Sequence, residues 1–253
     1  MTTGLTYAQY VTEIATMAVV SETDPNFLEI LPQMITYAEN RMYRDINFMF
    51  TSTSLHGATF ILTPGNRNLS FSMTLPDNSG TFVVSEQINL LTDAAGDPSA
   101  TTDPDACVRV PLLPTTREFL DAVYGSSLSA NRGAPKYFVP FNETLFLFGP
   151  VPDAAYPVEV VGTYRPNSLS STNTTTFISL YLPDVFIMAS MIYISAYQRN
   201  FGRANDDPQM AVSYESQYQA LLKSALVEEA RKTFEASGWS SQAPATVASP
   251  SRG

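Results

Sequence analysis

The stretch Asn26–Phe48, NFLEILPQMITYAENRMYRDINF, decides how the rest of the chain is read. Phe27, Leu31, Met34, Ile35, Ala38, Met42 and Ile46 recur at steps of three and four. That spacing lines one side of a 3.6-residue helix with apolar groups. Gln33, Thr36, Asn40, Arg41 and Arg44 fall toward the other side. Asp24 and Pro25 supply a cap and a first-turn residue whose missing N–H a helix leaves free in any case. Pro32 removes the bond to the Leu28 carbonyl, which predicts a short first turn, a kink, and a firm helix from about Gln33.

Upstream, Tyr7, Val11, Ile14, Ala15 and Ala18 share one side of an amphipathic helix over Thr6–Val20, with Thr6 as its N-cap. The short turn Ser21–Pro25 joins the two helices, which should pack antiparallel.

Downstream of Phe48 the texture changes to Thr, Val, Phe and Leu alternating with polar residues and broken by Pro, Gly, Asn and Asp. Thr63–Asn66, TPGN, is a turn by its chemistry and is expected to join Thr59–Leu62 to Asn68–Met73. Thr81–Leu91, Ala106–Leu112, Lys136–Pro140, Thr144–Phe148 and Val158–Tyr164 are further strands. Asn142 and Glu143 mark a hairpin between two of them. Asp93–Asp105 reads as an exposed loop. Arg117–Tyr124, REFLDAVY, reads as a small helix capped by Thr115 or Thr116 and closed by Gly125.

Two helices then return. Val185, Phe186, Ile187, Met188, Met191, Ile192 and Ile194 make the first apolar around most of its circumference, so it should be the central helix of a bundle. It stops at Asn200–Gly202. Asp207 and Pro208 open the second, where Tyr214, Tyr218, Leu221, Leu222 and Ala225 form the inward stripe and Gly238 closes it. Glu215, Lys223, Glu228, Glu229, Arg231 and Lys232 are placed in water.

The fold class is therefore α+β. A helical bundle of two N-terminal and two C-terminal helices (residues 1–49 and 166–237) is interrupted by an antiparallel β-sandwich or sheet module (50–165), and an extended tail (238–253) follows. Neither helix pair has enough apolar face to stand alone, so the flanking halves must meet.

Composition narrows function. Of 253 residues, 44% are hydrophobic and only 15% charged, which excludes wholesale disorder and leaves a weakly charged surface suited to being covered by neighbours. A net charge of −10 with scattered basic residues argues against a dedicated nucleic-acid binder. Cys107 is alone, which rules out an intrachain disulfide, and reads as a small buried hydrophobe in a strand. No secretion signal is recognisable, and Val185–Ile194 is about half the length of a membrane span, so a soluble protein is expected.

Catalytic signals are scarce. His56 is the only histidine, no G-x-S-x-G turn occurs, and one His with one Cys cannot assemble the usual zinc ligand sets. The acidic residues of 93–105 lack the calcium-loop spacing, and no phosphate-cradling glycine motif exists. No cofactor, metal or catalytic residue is expected; a pair of hydrolytic carboxylates would leave no sequence signature.

The run Leu31–Ile46, LPQMITYAENRMYRDI, resembles the first long helix of the head-to-tail adaptor proteins of tailed double-stranded-DNA bacteriophages. A second match covers Val161–Arg199, VGTYRPNSLSSTNTTTFISLYLPDVFIMASMIYISAYQR. It consists of a last strand ending in Tyr-x-x-x-Pro, a Leu-Ser pair, a Thr-rich turn, and Leu-Pro-Asp opening an apolar helix. The resemblance implies a non-enzymatic virion protein at the head–tail junction, assembled in the host cytoplasm. It implies a ring of identical subunits, usually twelve, under the portal protein. Such a ring extends the DNA channel, contacts tail or nozzle proteins, and lets genomic DNA pass without specific binding; no membrane is involved. The alternative is a tail or baseplate module that recognises a receptor carbohydrate. Exposed aromatics on one sheet face would favour that alternative, and strand aromatics buried inside would favour the adaptor.

Partner-binding candidates are Arg41, Arg44 and Tyr43 on the organising helix, with Trp239 and Arg252 in the tail. Against an Arg41 contact with DNA stands its pairing with Asp45 at i,i+4. The last seventeen residues, SGWSSQAPATVASPSRG, have no periodicity. Ordering them costs on the order of 15–35 kcal/mol at about 1–2 per residue. A fixed path therefore needs a groove supplied by another chain, with Trp239, the only tryptophan, as anchor.

Overall fold

The computed structural model describes residues 4–198 and 210–236. The chain divides into two compact units, one formed by Met1–Met49 with Ser168–Gly253 and the other by Phe50–Asn167.

In the helical unit, α1 (Tyr7–Met17) starts at a capping box: the Thr6 hydroxyl accepts the Gln9 N–H while the Gln9 side chain accepts that of Thr6. α2 (Pro25–Asp45) starts at Asp24, whose carboxylate accepts the N–H groups of Asn26 and Phe27. It runs unbroken through Pro32, contrary to the expectation of a short separate first turn. Pro32 lies on the exposed side, so the one lost bond leaves the apolar stripe untouched. That stripe buries Phe27, Leu31, Ile35, Ala38 and Met42, and each of the four larger side chains contributes roughly 1.5–3 kcal/mol when fully removed from water.

A short helix that the sequence reading missed, α4 (Phe177–Tyr181), is capped by Thr176 and followed at once by α5 (Pro183–Gln198). α5 packs against α1, α2, α4 and α6 (Met210–Ala236), and its all-round apolarity is explained by that central position. Phe186 stacks on Tyr10 with centroids 4.6 Å apart. The expected helix boundaries at Asn200–Gly202, Asp207–Pro208 and Gly238 lie outside the described residues, as does the tail.

The second unit holds two four-stranded sheets. One has the order β1 (Ser52–Leu55), β8 (Val158–Pro166), β3 (Gly80–Thr92), β4 (Val108–Pro111) and is antiparallel throughout. The other has the order β2 (Asn68–Ser70), β7 (Leu145–Gly149), β6 (Tyr137–Asn142), β5 (Leu113–Pro114), with β5 parallel to β6. Phe71, Phe82, Phe138, Phe146, Phe148, Val158 and Val160 from both sheets meet in one core, which makes a sandwich. The chain changes sheets at buried Leu112, between β4 and β5. α3 (Arg117–Tyr124), capped by Thr116, covers the back of β6 and β7 through Leu120, Val139 and Leu147.

Three expectations are corrected. The turn at Thr63 forms, with the Asn66 N–H on its carbonyl at 3.0 Å and Gly65 at φ +78°, yet its two arms do not pair with each other. Leu62 donates to Tyr156 and β2 pairs with β7, because burial of Phe60 and Leu62 decides the partner and turn chemistry does not. Cys107 is half-buried, lies just before β4, and its thiol is 3.0 Å from the Asp103 carbonyl it donates to. Glu229, assigned to water, is 4% exposed.

Candidate functional site

The residues expected to meet a partner begin on α2. Arg41 and Arg44 stand three positions apart, a spacing that puts both on one side of the helix. Arg41 is committed within the subunit. Its guanidinium donates to both oxygens of Glu215 on α6, at 2.8 and 2.6 Å, and lies 3.5 Å from Asp45. It also sits over the Tyr218 ring, 4.4 Å from the centroid. Such a bidentate pair is stronger and more directional than a single contact. The Arg41 hydrogen bonds hold the Glu215 carboxyl below the usual carboxylate range. Tyr218 is fully buried and its hydroxyl donates to Asp45 at 2.7 Å, so burial first and then Asp45 push its pKa up.

Arg44 is exposed and donates to the Asn40 carbonyl of its own helix. Tyr43 lies edge-on to Phe48, with centroids 5.8 Å apart. The structure thus puts Arg44 and Arg41 on one helix but in different states, one at the surface and one tied to α6. Trp239 and Arg252 lie outside the described residues. A double-mutant cycle on Arg41→Ala and Glu215→Ala should return a coupling of about 1 kcal/mol, read from denaturant unfolding. A coupling of zero would mark the pair as incidental.

Sequence reasoning missed three buried glutamates, two of them, Glu39 and Glu229, in the helical unit. Glu39 on α2 is 2% exposed and accepts the Leu169 N–H at 3.1 Å. Burial pushes its carboxyl up to about 7, against hydrogen bonds from Ser168, Leu169 and Thr176 that pull the other way. Glu229 accepts the Met49 N–H at 3.3 Å and pairs with Lys232 at 2.7 Å. Both carry a legible signal. Glu39 falls between Ala38 and Met42 on the apolar stripe, and Glu229 extends the series Tyr218, Leu222, Ala225 by one more step of four.

Beside Glu229 the last turns of α6 form a cavity of about 450 Å³, lined by Asn47, Leu226, Glu229, Ala230, Thr233 and Phe234. In the β unit, Glu159 is buried under hydrogen bonds from Ser54, Asn89 and Arg109. Burial alone would raise its pKa, but those three donors outweigh it and hold the carboxyl low. A smaller hollow of about 350 Å³ opens along Val83–Ser85 and Asn142–Glu143. The strand residues Phe82, Phe138, Phe146 and Phe148 face inward, as does Phe71 just after β2, while Phe141 of β6 and Phe119 of α3 are exposed.

Among the described residues no three His, Cys, Asp or Glu side chains are grouped to hold a metal, and no helix is long and apolar enough to cross a membrane. His56 is exposed, immediately after β1. What the geometry offers is a set of packed helices and a sandwich whose two sheets share one core. No curated protein sequence matches the chain. The family model described as SU10 adaptor protein matches residues 5–247. A match over nearly the whole length, spanning both units, establishes that the chain belongs to the SU10 adaptor protein family.

Proposed function

We propose that this phage structural protein closes into a ring of identical subunits, twelve in number, seated beneath the portal at the head–tail junction. The ring continues the DNA channel and presents a platform to tail or nozzle proteins. The observation that carries this reading is the family match across residues 5–247. Four strand phenylalanines, Phe82, Phe138, Phe146 and Phe148, are buried and one, Phe141, is exposed, which supports it over a carbohydrate-binding module that would cluster aromatics at the surface.

Physical chemistry is consistent with that role. One subunit makes a modest contact, and a symmetric ring meeting a symmetric ring multiplies it through effective concentration. A net charge of −10 gives genomic DNA no cationic track whose counterion release would reward binding. The helical unit is the ring-forming body, and the sandwich faces the tail. Arg44, with Arg41 and Tyr43 behind it on α2, serves a subunit contact. The segment 238–253, carrying Trp239 and Arg252, runs toward the portal or a neighbouring subunit.

Deleting residues 238–253 should weaken co-sedimentation with portal rings while leaving the far-ultraviolet dichroism unchanged. Undiminished co-sedimentation would remove the tail from the contact. Electron micrographs of the complex should show a twelve-fold ring, and any other symmetry would overturn the stoichiometry.

A further inference from the structure

α6 presents a long exposed face. The helix has 27 residues, about 40 Å of length. One side packs on α5, and the other carries Val212, Ala220, Lys223, Val227, Ala230 and Arg231, all exposed. At 3.6 residues per turn these six fall within about 100° of arc, a single stripe. Val212 is 64% exposed and Val227 is 52% exposed, so the stripe is small and apolar except at its two cations. A helix face meant only for water is charged and polar.

The neighbouring charges of α6 are already used. Glu215 holds Arg41, and Lys232 pairs with both Glu228 and Glu229. Lys223 and Arg231 have no ion partner among the described residues, and they stand eight positions, about 12 Å, apart along the helix.

The complementary surface lies at the other end of the sequence. No Lys, Arg or His precedes Arg41. In that span Asp24 caps α2 and Glu39 is buried. The remaining acids are Glu13 of α1, Glu22 of the connection and Glu29 of α2, all exposed and without an ion partner among the described residues. Leu28, 45% exposed, adds apolar surface beside Glu29. α1 and α6 each pack on α5, so both surfaces belong to the helical unit. One subunit thus carries an acidic corner and a cationic apolar stripe on different helices, and neither neutralises the other within the chain. Two unlike patches that complement each other make a head-to-tail contact, and such contacts between identical subunits close into rings.

We propose that the α6 stripe of each subunit seats on the acidic α1–α2 corner of the next, with Lys223 and Arg231 facing Glu13, Glu22 and Glu29. This joint rests on the ring reading and adds to it the two surfaces that meet and the direction in which they do so. Val212 and Val227 supply apolar contact, and the opposite charges fix the register and reject the pairing of two like surfaces.

Two charge-reversed variants test the joint. One carries Glu13→Lys, Glu22→Lys and Glu29→Lys, and the other carries Lys223→Glu and Arg231→Glu. All five positions are exposed, so both variants should keep the native helical dichroism. Alone, each brings like charges together at every joint, and the copies that co-sediment with portal rings should fall about tenfold or more. Mixed in equal amounts, the two should recover wild-type loading, because alternating subunits restore an opposite-charge joint at every position of an even-numbered ring. If a reversal unfolds the helices, the neutral pair Lys223→Gln and Arg231→Gln should still lower loading severalfold. Wild-type loading by either folded variant alone would overturn the proposal. So would a mixture that loads as poorly as its components, because that result sets these surfaces against portal or tail proteins and not against a neighbour. Wild-type protein that forms no ring on portal would remove the ring reading and this joint with it. A ring that ignores the reversals would remove the joint alone.

Discussion

Gly162→Val is expected to destabilise the sandwich by about 3–5 kcal/mol, the largest single effect on that unit. Gly162 sits in β8 opposite Ser85 of β3, where β3 is irregular: its register shifts between Phe82 and Val84 and again between Ser85 and Gln87. Bulges of this kind bend the strand that carries them and sharpen its twist. A Cβ on Gly162 would stand 2.0 Å from the Val84 carbonyl oxygen, 2.7 Å from the Phe82 ring and 3.0 Å from the Ser85 Cα. Two of these neighbours are backbone, so relief requires opening the central ladder of the sheet. Gly96→Ala is the matched control. Gly96 has φ +90° with nothing within 4 Å, so substitution there costs only the conformational strain of about 1 kcal/mol. Urea unfolding followed by dichroism should separate the two variants clearly. Equal losses would mean that β8 and β3 can move apart and that the close approach carries no energy.

The positions where local chemistry suffices are those the sequence made legible. Thr6 and Asp24 were readable as helix starts, and a third start was narrowed to Thr115 or Thr116, of which Thr116 is the cap, because a cap bonds to residues two or three places on. The centrality of α5 was readable because a helix apolar on all sides has to be surrounded. The hairpin at Asn142 was readable although Asn-Glu is a weak turn pair. The Asn142 side chain accepts the Thr144 N–H at 2.9 Å, an Asx turn that holds the bend without a glycine. Strand partnership was not legible at Thr63–Asn66, where the turn formed and the expected pairing did not. Partnership there depends on which distant strand completes the core. β1 and β5 were missed for a related reason: four residues of Ser, Thr and Leu, or two of Leu and Pro, carry no period of their own. For the candidate site, Arg41 was legible as paired, but its stronger partner Glu215 lies 174 positions away and no local spacing points to it. Glu229 was misread because a charged side chain was assigned to water by type even where it continued an apolar stripe, and Glu39, beside Ala38 on such a stripe, was given no place at all.

Glu39 is where burial of a carboxyl has the largest consequence, and it predicts an unusual pH dependence. The carboxyl lies on α2 and takes the Leu169 N–H on both oxygens, at 3.1 and 3.3 Å, just where the chain enters the helical unit for the second time. Two effects compete. Donors from Ser168, Leu169 and Thr176 favour the ionised form, while burial favours the neutral acid. Burial wins, and the folded-state value of about 7 lies above the ordinary 4.5. The folded protein therefore binds more protons than the unfolded chain between those two values. The contribution of Glu39 to stability is fully present below about pH 4.5 and is lost as pH rises through 7. At about 1.4 kcal/mol per unit, the span amounts to about 3 kcal/mol. Glu39→Gln has the shape of the neutral acid at every pH, its carbonyl still able to accept from Leu169. The stability of the wild-type protein relative to Glu39→Gln should therefore fall by about 3 kcal/mol between pH 4.5 and 7, whatever the other carboxylates do in both proteins. Glu39→Ala should lose on the order of 2–4 kcal/mol across the whole range, because the Leu169 N–H is left buried without its acceptor. A relative stability that rises with pH would show that the hydrogen-bond donors, and not burial, govern this carboxyl. A flat difference would show that water reaches Glu39 in solution, and the clasp on Leu169 would then be an ordinary surface contact.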